Sequence, residues 1–318
     1  MLTAYTRSGE PSTNTLTKKL VNLRAELPQD AAWIDLNDPT DQERNWVREQ
    51  YNQELQFIEE LGEIEASARY YRDDTGLHIN LYFLALENGY ARNVNVAFTI
   101  NNDRLFTLRT DKLPEIRAFF THASKNADGY PTPASLLLGL IDTRVGLMAD
   151  VFEKLQTDLD VVSGSIFRTT AHGMTAALQS LARIEDINGK ARLGFMENKR
   201  AYSNLSRNTD IVVDAEALSE LLRDVESLMD FSDFLADRTK FLMDTAMGMI
   251  NIAHNRRLNV FTVLSVVLMP PTLIASIYGM NFRHMPELSW TFGYPMAIVL
   301  MIVVAVGPVL FLRHRGWL

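Results

Sequence analysis

Residues 258–281 read LNVFTVLSVVLMPPTLIASIYGMN. Leu258 to Ile277 is 20 residues without a charge, long enough at ~1.5 Å per residue to cross a ~30 Å hydrocarbon core. The run stops at Tyr278-Gly279-Met280-Asn281, a glycine turn followed by a side-chain amide. A second uncharged run, Tyr294 to Leu312 (YPMAIVLMIVVAVGPVLFL), follows after a short loop. Two such runs in one hairpin read as a pair of membrane spans rather than as two buried core helices. A tight turn carrying an amide at a membrane exit suits ion handling better than solution catalysis.

The flanking charges orient the pair. Arg256 and Arg257 precede the first span, Arg313 and Arg315 follow the second, and the connecting loop holds only Arg283 and Glu287. Cationic flanks stay inside, so both termini are expected in the cytoplasm and the loop outside. The formal charge is −8 over 318 residues. With basic span flanks, the acid excess must lie in the soluble part, which repels nucleic acid and attracts cations. There is no cysteine, which excludes disulfides and thiolate metal sites. Residues 1–30 hold no apolar core of signal-peptide length.

Ahead of the spans, residues 31–125 mix strand and helix signals. Ala32 to Leu36 reads as a short strand, with Asn37-Asp38-Pro39 as a helix start capped by Asp38. Leu77 to Leu86, Val94 to Ile100 and Leu105 to Arg109 are β-rich, separated by Asn88-Gly89 and Asn101-Asn102-Asp103 as turns. This pattern predicts an antiparallel sheet. Leu113 to His122 returns to a helical pattern. From Ala134 onward apolar residues recur at three and four, with a break expected near Gly164 and Gly173 and a further helix over Thr175 to Leu205. A last helix, residues 214–277 if unbroken, would be on the order of 95 Å long. The division is therefore an α/β domain (1–130), long helices forming a stalk (131–257), the first span (258–277), an outer loop (278–293), the second span (294–312) and a tail (313–318).

Two spans cannot enclose an aqueous path, so a conducting protein must be an oligomer with one helix per chain on the axis. The first span is the better lining. Asn255, Leu258, Thr262, Ser265, Met269, Thr272 and Ser276 recur at three and four, close to a 3.5 repeat. Small-residue helix packing is the alternative use of such a stripe. The second span has no hydrogen-bonding side chain between Tyr294 and Arg313 and suits lipid. Neither span holds a carboxylate. Hydroxyls and an amide do not strip Mg²⁺, which dehydrates reluctantly, but they can accept hydrogen bonds from its water shell. Leu258 and Met269 would be hydrophobic constrictions able to gate by dewetting. A divalent cation entering down ~100 mV gains about 4.6 kcal/mol. No P-loop glycine-lysine motif accompanies this, and none is needed.

At Tyr278-Gly279-Met280-Asn281-Phe282, followed by Met285-Pro286-Glu287-Leu288, the chain resembles the CorA family of divalent cation transporters, in its enterobacterial-type branch. Glu63 to Arg69, Asp73-Asp74, Gly76 to Ile79, Pro270-Pro271-Thr272 and Trp317-Leu318 carry the resemblance along the whole chain. It implies a homopentameric channel of the bacterial inner membrane that takes up Mg²⁺, and Co²⁺ and Ni²⁺ with it. Gly279, Met280 and Asn281 would form the filter, Asn281 touching the ion's hydration water. Asn255, Leu258, Met269, Thr272 and Ser276 would line the pore. Intracellular Mg²⁺ held by acids between subunits would favour closure. Asp224, in Arg223-Asp224-Val225-Glu226, is the best match, and its alternative is a solvated helix face. Mg²⁺ is thus cargo and effector, and no cofactor is implied.

One departure concerns ion preference. Where the family often has an acidic residue and an aromatic one after Phe282, this chain has Arg283-His284, and His284 suits softer ions such as Zn²⁺. The rival readings are a Zn²⁺ transporter of the same superfamily and a membrane-anchored metal sensor that does not conduct. The six histidines show no helical metal-site spacing. Glu63/Glu65 and Asp73-Asp74 read as surface charge rather than as catalytic carboxylates.

Overall fold

The computed structural model describes residues 1–8, 15–22, 30–55, 69–87, 89–101, 103–168, 171–207, 213–281 and 285–315. Residues 63–68, Asn88, Asn102, residues 282–284 and Trp317-Leu318, all used above, lie outside them. The strands are β1 (Leu2–Ser8), β2 (Thr15–Leu20), β3 (Ala31–Asn37), β4 (Tyr70–Asp73), β5 (Gly76–Glu87), β6 (Tyr90–Ile100) and β7 (Leu105–Arg109). The α-helices are α1 (Asp41–Tyr51), α2 (Pro114–Ala123), α3 (Pro133–Arg168), α4 (Ala171–Arg207), α5 (Ala215–Tyr278) and α6 (Gly293–His314). The fold is the expected α/β part followed by long helices, the last two with membrane-length apolar segments.

The seven strands form one sheet in the order β2-β1-β3-β7-β6-β5-β4. β5, β6 and β7 pair antiparallel as expected, whereas β3, for which the sequence named no partner, pairs with β7 in parallel, from Trp33 opposite Leu105 to Asn37 opposite Arg109. Both strands are buried on both faces, and so neither shows the alternation that a half-exposed antiparallel strand would. On one face Ile34, Leu36, Phe106 and Leu108 pack with Val47 of α1. On the other, Trp33 stacks on Tyr5 with ring centroids 4.1 Å apart and meets Phe119 of α2 at 5.6 Å. The Trp33 face also carries a buried polar chain. Arg109 donates to Asp35 through Nε (3.0 Å) and Nη2 (2.8 Å). Thr107 donates to Asp35 at 2.7 Å, and Trp33 Nε1 donates to Thr107 at 3.2 Å. Each buried charge is thereby paired and hydrogen-bonded, the condition for tolerating it.

The start of α1 also differs. Thr40, not Asp38, is the cap: its hydroxyl accepts from Glu43 N–H, and Glu43 accepts from Thr40 N–H at 2.9 Å, a reciprocal capping box. Asp38 instead takes a left-handed conformation (φ 46°). α3 ends at Arg168 and α4 begins at Ala171, so the helical break falls between Gly164 and Gly173 as expected, with each glycine inside its own helix. An interior glycine costs about 1 kcal/mol, which a packed helix absorbs.

α4 completes the sheet. Beyond its pairing with β4, β5 would leave backbone groups open, and buried Asn198 accepts from Tyr82 N–H and donates to Tyr82 C=O, both at 2.8 Å. Asn188 of α4 and Ser232 of α5 exchange two bonds, at 2.9 and 3.0 Å. Asp214 caps α5 by accepting from Glu216 and Ala217 N–H, and α5 runs unbroken for 64 residues. The chain divides into two compact units. One is Met1–Thr169 with Thr175–Met243; the other is Thr170–Met174 with Asp244–Leu318.

Candidate functional site

In the second unit, Asn255, Leu258, Thr262, Ser265, Met269, Thr272 and Ser276 are all exposed on α5. At 3.6 residues per turn they fall within about 100° of arc, so the structure brings them together on one face. Two of the hydroxyls are committed to the helix as donors: Thr262 to Leu258 C=O at 2.9 Å and Thr272 to Leu268 C=O at 2.7 Å. A hydroxyl has one proton and two lone pairs, so each turns only acceptor capacity outward. The water shell of a cation points its protons outward, and such a surface can receive it. Pro270 and Pro271 sit inside α5 and provide no N–H, which frees the carbonyls of Val266 and Val267 from the helical ladder.

The most apolar 18-residue windows of α5 and α6 are 0 % and 6 % buried. Such surface does not persist in water and calls for lipid or for other copies of the chain. α5 closes at Gly279, whose N–H donates to Ala275 C=O at 2.9 Å, and at Met280, whose N–H donates to Ile277 C=O at 3.3 Å. Met280 and Asn281 are exposed beyond that turn. Residues Pro286–Ser289 make a 3₁₀ turn, and Gly293 N–H donates to Trp290 C=O at 3.1 Å. A Cβ at Gly293 would lie 2.1 Å from the Glu287 carbonyl oxygen, so only glycine fits this loop closure. Arg283 and His284 lie outside the described residues.

In the first unit, Asp224 is exposed on α5. Its surroundings contain acids that the sequence reading missed. Asp142 of α3 has its carboxyl pushed up from the usual range by partial burial and by the charges of Asp224 and Glu220, with His122 acting against them. Glu220 lies one turn before Asp224, a spacing visible in the sequence, whereas Asp142 reaches the group only through the fold. Among the described residues no group of three or more His, Asp or Glu side chains is arranged to hold a metal ion. Asp73 has a local task instead. Its Oδ1 accepts from Thr75 N–H (2.8 Å) and Gly76 N–H (3.1 Å) and lies 3.0 Å from His78 Nε2, closing the β4–β5 turn.

The sequence profile described as CorA-like Mg2+ transporter protein matches residues 28–314. The chain belongs to that family. It is 42% identical over 306 residues to the magnesium transport protein CorA of Salmonella typhimurium strain LT2, covering 94% of this chain and 97% of that protein. The figures are the same for its namesake in Escherichia coli strain K12. The fold matches the complete structure of the CorA magnesium transporter from Methanocaldococcus jannaschii with a TM-score of 0.77 at 18% identity, covering 100% of this chain and 99% of that one. Membership in the CorA family makes the chain a transporter rather than an enzyme. α5 and α6 carry the spans of a two-pass inner-membrane protein whose N-terminal part is cytoplasmic.

Proposed function

We propose that the chain forms a homo-oligomeric channel for Mg²⁺, a pentamer by family resemblance, in which the exposed face of α5 lines the pore. The observation that carries this is the stripe from Asn255 to Ser276 ending at Gly279-Met280-Asn281, with Thr262 and Thr272 presenting acceptors outward. A largely hydrated ion passes down its electrochemical gradient. Asn281 contacts its water shell at the filter, and Leu258 and Met269 form the apolar constrictions. Co²⁺ and Ni²⁺, close in size to Mg²⁺, share the path. Residues 1–130 act as a cytoplasmic α/β domain and 131–257 as the stalk. Residues 258–277 and 294–312 span the membrane, 278–293 form the periplasmic loop, and 313–318 form the tail.

Intracellular Mg²⁺ held between subunits favours the closed state, with Asp224 as one contributor. Asp142, whose carboxyl is raised by partial burial and then by the charges of Asp224 and Glu220, supports this, because neighbouring carboxylates oppose one another's ionisation and a bound cation relieves that. Closure by such an ion requires tighter binding to the closed state than to the open one. The test is uptake of Mg²⁺ into proteoliposomes under an inside-negative potential. Voltage-dependent uptake is the expected result; its absence would favour a non-conducting sensor, and preference for Zn²⁺ in competition would favour the zinc transporter.

A further inference from the structure

A cavity of about 720 Å³ opens in the first unit between the sheet and α2. Lys18 of β2, Lys112 just before α2 and Arg117 in its second turn line it and are exposed. None of the three has an ion-pair partner among the described residues. The lining contains one acid, Asp35, and its two oxygens are already taken by Arg109 and Thr107. Arg109 and Asp35 cancel, so three uncompensated cations converge on one cavity in a protein whose formal charge is −8. The first turn of α2 also lines the cavity through Leu113 at its cap and Pro114, and the same turn holds the buried Glu115.

Beside Thr3, Asn37 and Thr121, the lining has an apolar wall. Ile116 and Phe120 of α2 face Tyr5 of β1, whose ring lies 4.9 Å from that of Phe120. The volume is within the ~300–1,000 Å³ range of small-molecule sites, which combine apolar walls with a few placed charges. An inorganic anion would use the cations and leave the wall empty. A neutral apolar molecule would fill the wall and desolvate the cations without compensation, which is unfavourable. We infer that this cavity binds a nucleoside phosphate, with its phosphates on Lys18, Lys112 and Arg117 and its ring system along Ile116 and Phe120. No bond is made or broken: the chain has no P-loop, and the site is one of binding alone.

The experiment is calorimetric titration of the full-length protein in detergent, treated with EDTA, with ATP, AMP and inorganic phosphate. Saturable ATP binding is expected, with inorganic phosphate at least ten-fold weaker. The double variant Lys112→Ala/Arg117→Ala should weaken ATP binding at least ten-fold while circular dichroism and oligomer size stay unchanged. Lys154→Ala, outside the cavity, should bind as the unmodified protein does. No saturable nucleotide binding, equal affinity for inorganic phosphate, or undiminished binding by the folded double variant would overturn the assignment.

Discussion

Asn281 is the residue at which the apolar span gives way to an amide, and its role is specific enough to fail. Asn281→Ala removes both the acceptor and the donor without touching the helix, whose closing backbone bonds are made by Gly279 and Met280. Uptake of Mg²⁺ is expected to be lost while the oligomer runs unchanged on size exclusion; near-normal flux would remove the amide from the filter. Asp224 differs, because its charge acts on a neighbourhood that already holds Asp142 and Glu220. Asp224→Lys should weaken inhibition by internal Mg²⁺ at least several-fold in a flux assay with loaded vesicles, and an unchanged inhibition curve would exclude it from sensing.

Asp73 gives a pH prediction at the same scale. Partial burial pushes its carboxyl up, but the hydrogen bonds from Thr75 and His78 outweigh this and hold it at about 2, against an ordinary 3.8. A group depressed in the folded state stabilises it above the unfolded value and loses that contribution as pH falls through the folded one. The stability advantage over Asp73→Asn should therefore be full above about pH 4 and shrink toward pH 2. Thermal unfolding at stepped pH checks it; a gap that stays constant would contradict the account.

At the scale of elements, the turn that leads into α6 leaves no room for a side chain at Gly293. Gly293→Ala places a methyl group 2.1 Å from the Glu287 carbonyl oxygen, and backbone cannot yield as a side chain end can. The variant should lower the Tm of the detergent-solubilised protein and reduce uptake; wild-type values for both would contradict the loop closure. How far elements were legible followed from how their residues are buried. β7 was read at its own bounds because its first four residues, Leu105 to Leu108, are apolar or β-forming and Arg109 ends the run. β2 was invisible because only Leu16 is buried in TLTKKL, the lysine-bearing composition of a protected edge strand. The parallel pairing of β3 with β7 was missed because strand composition does not encode partner direction. α5 was legible along its whole length, since no proline precedes Pro270 and Asp214 supplies an acceptor at its start. The membrane stripe was legible as periodicity. The acid group around Asp224 was only half legible, because Glu220 is near it in sequence and Asp142 is brought there by α3.

At the scale of the whole molecule, the exposed apolar faces of α5 and α6 have no role in a single chain in water. They acquire one when several copies place their α5 stripes around an axis and their α6 helices against lipid. In the proposed channel, a pore of hydroxyls, an amide and apolar side chains would conduct by accepting the ion's water shell, with the membrane potential supplying about 4.6 kcal/mol per divalent ion at 100 mV. The measurement that tests this most directly is Mg²⁺ entry into proteoliposomes containing the purified protein, followed with a trapped fluorescent indicator as an inside-negative potential is imposed. The account predicts uptake that rises with the potential and vanishes in Asn281→Ala vesicles holding the same amount of assembled protein. Uptake that is absent, indifferent to the potential, or equal in the variant would contradict it.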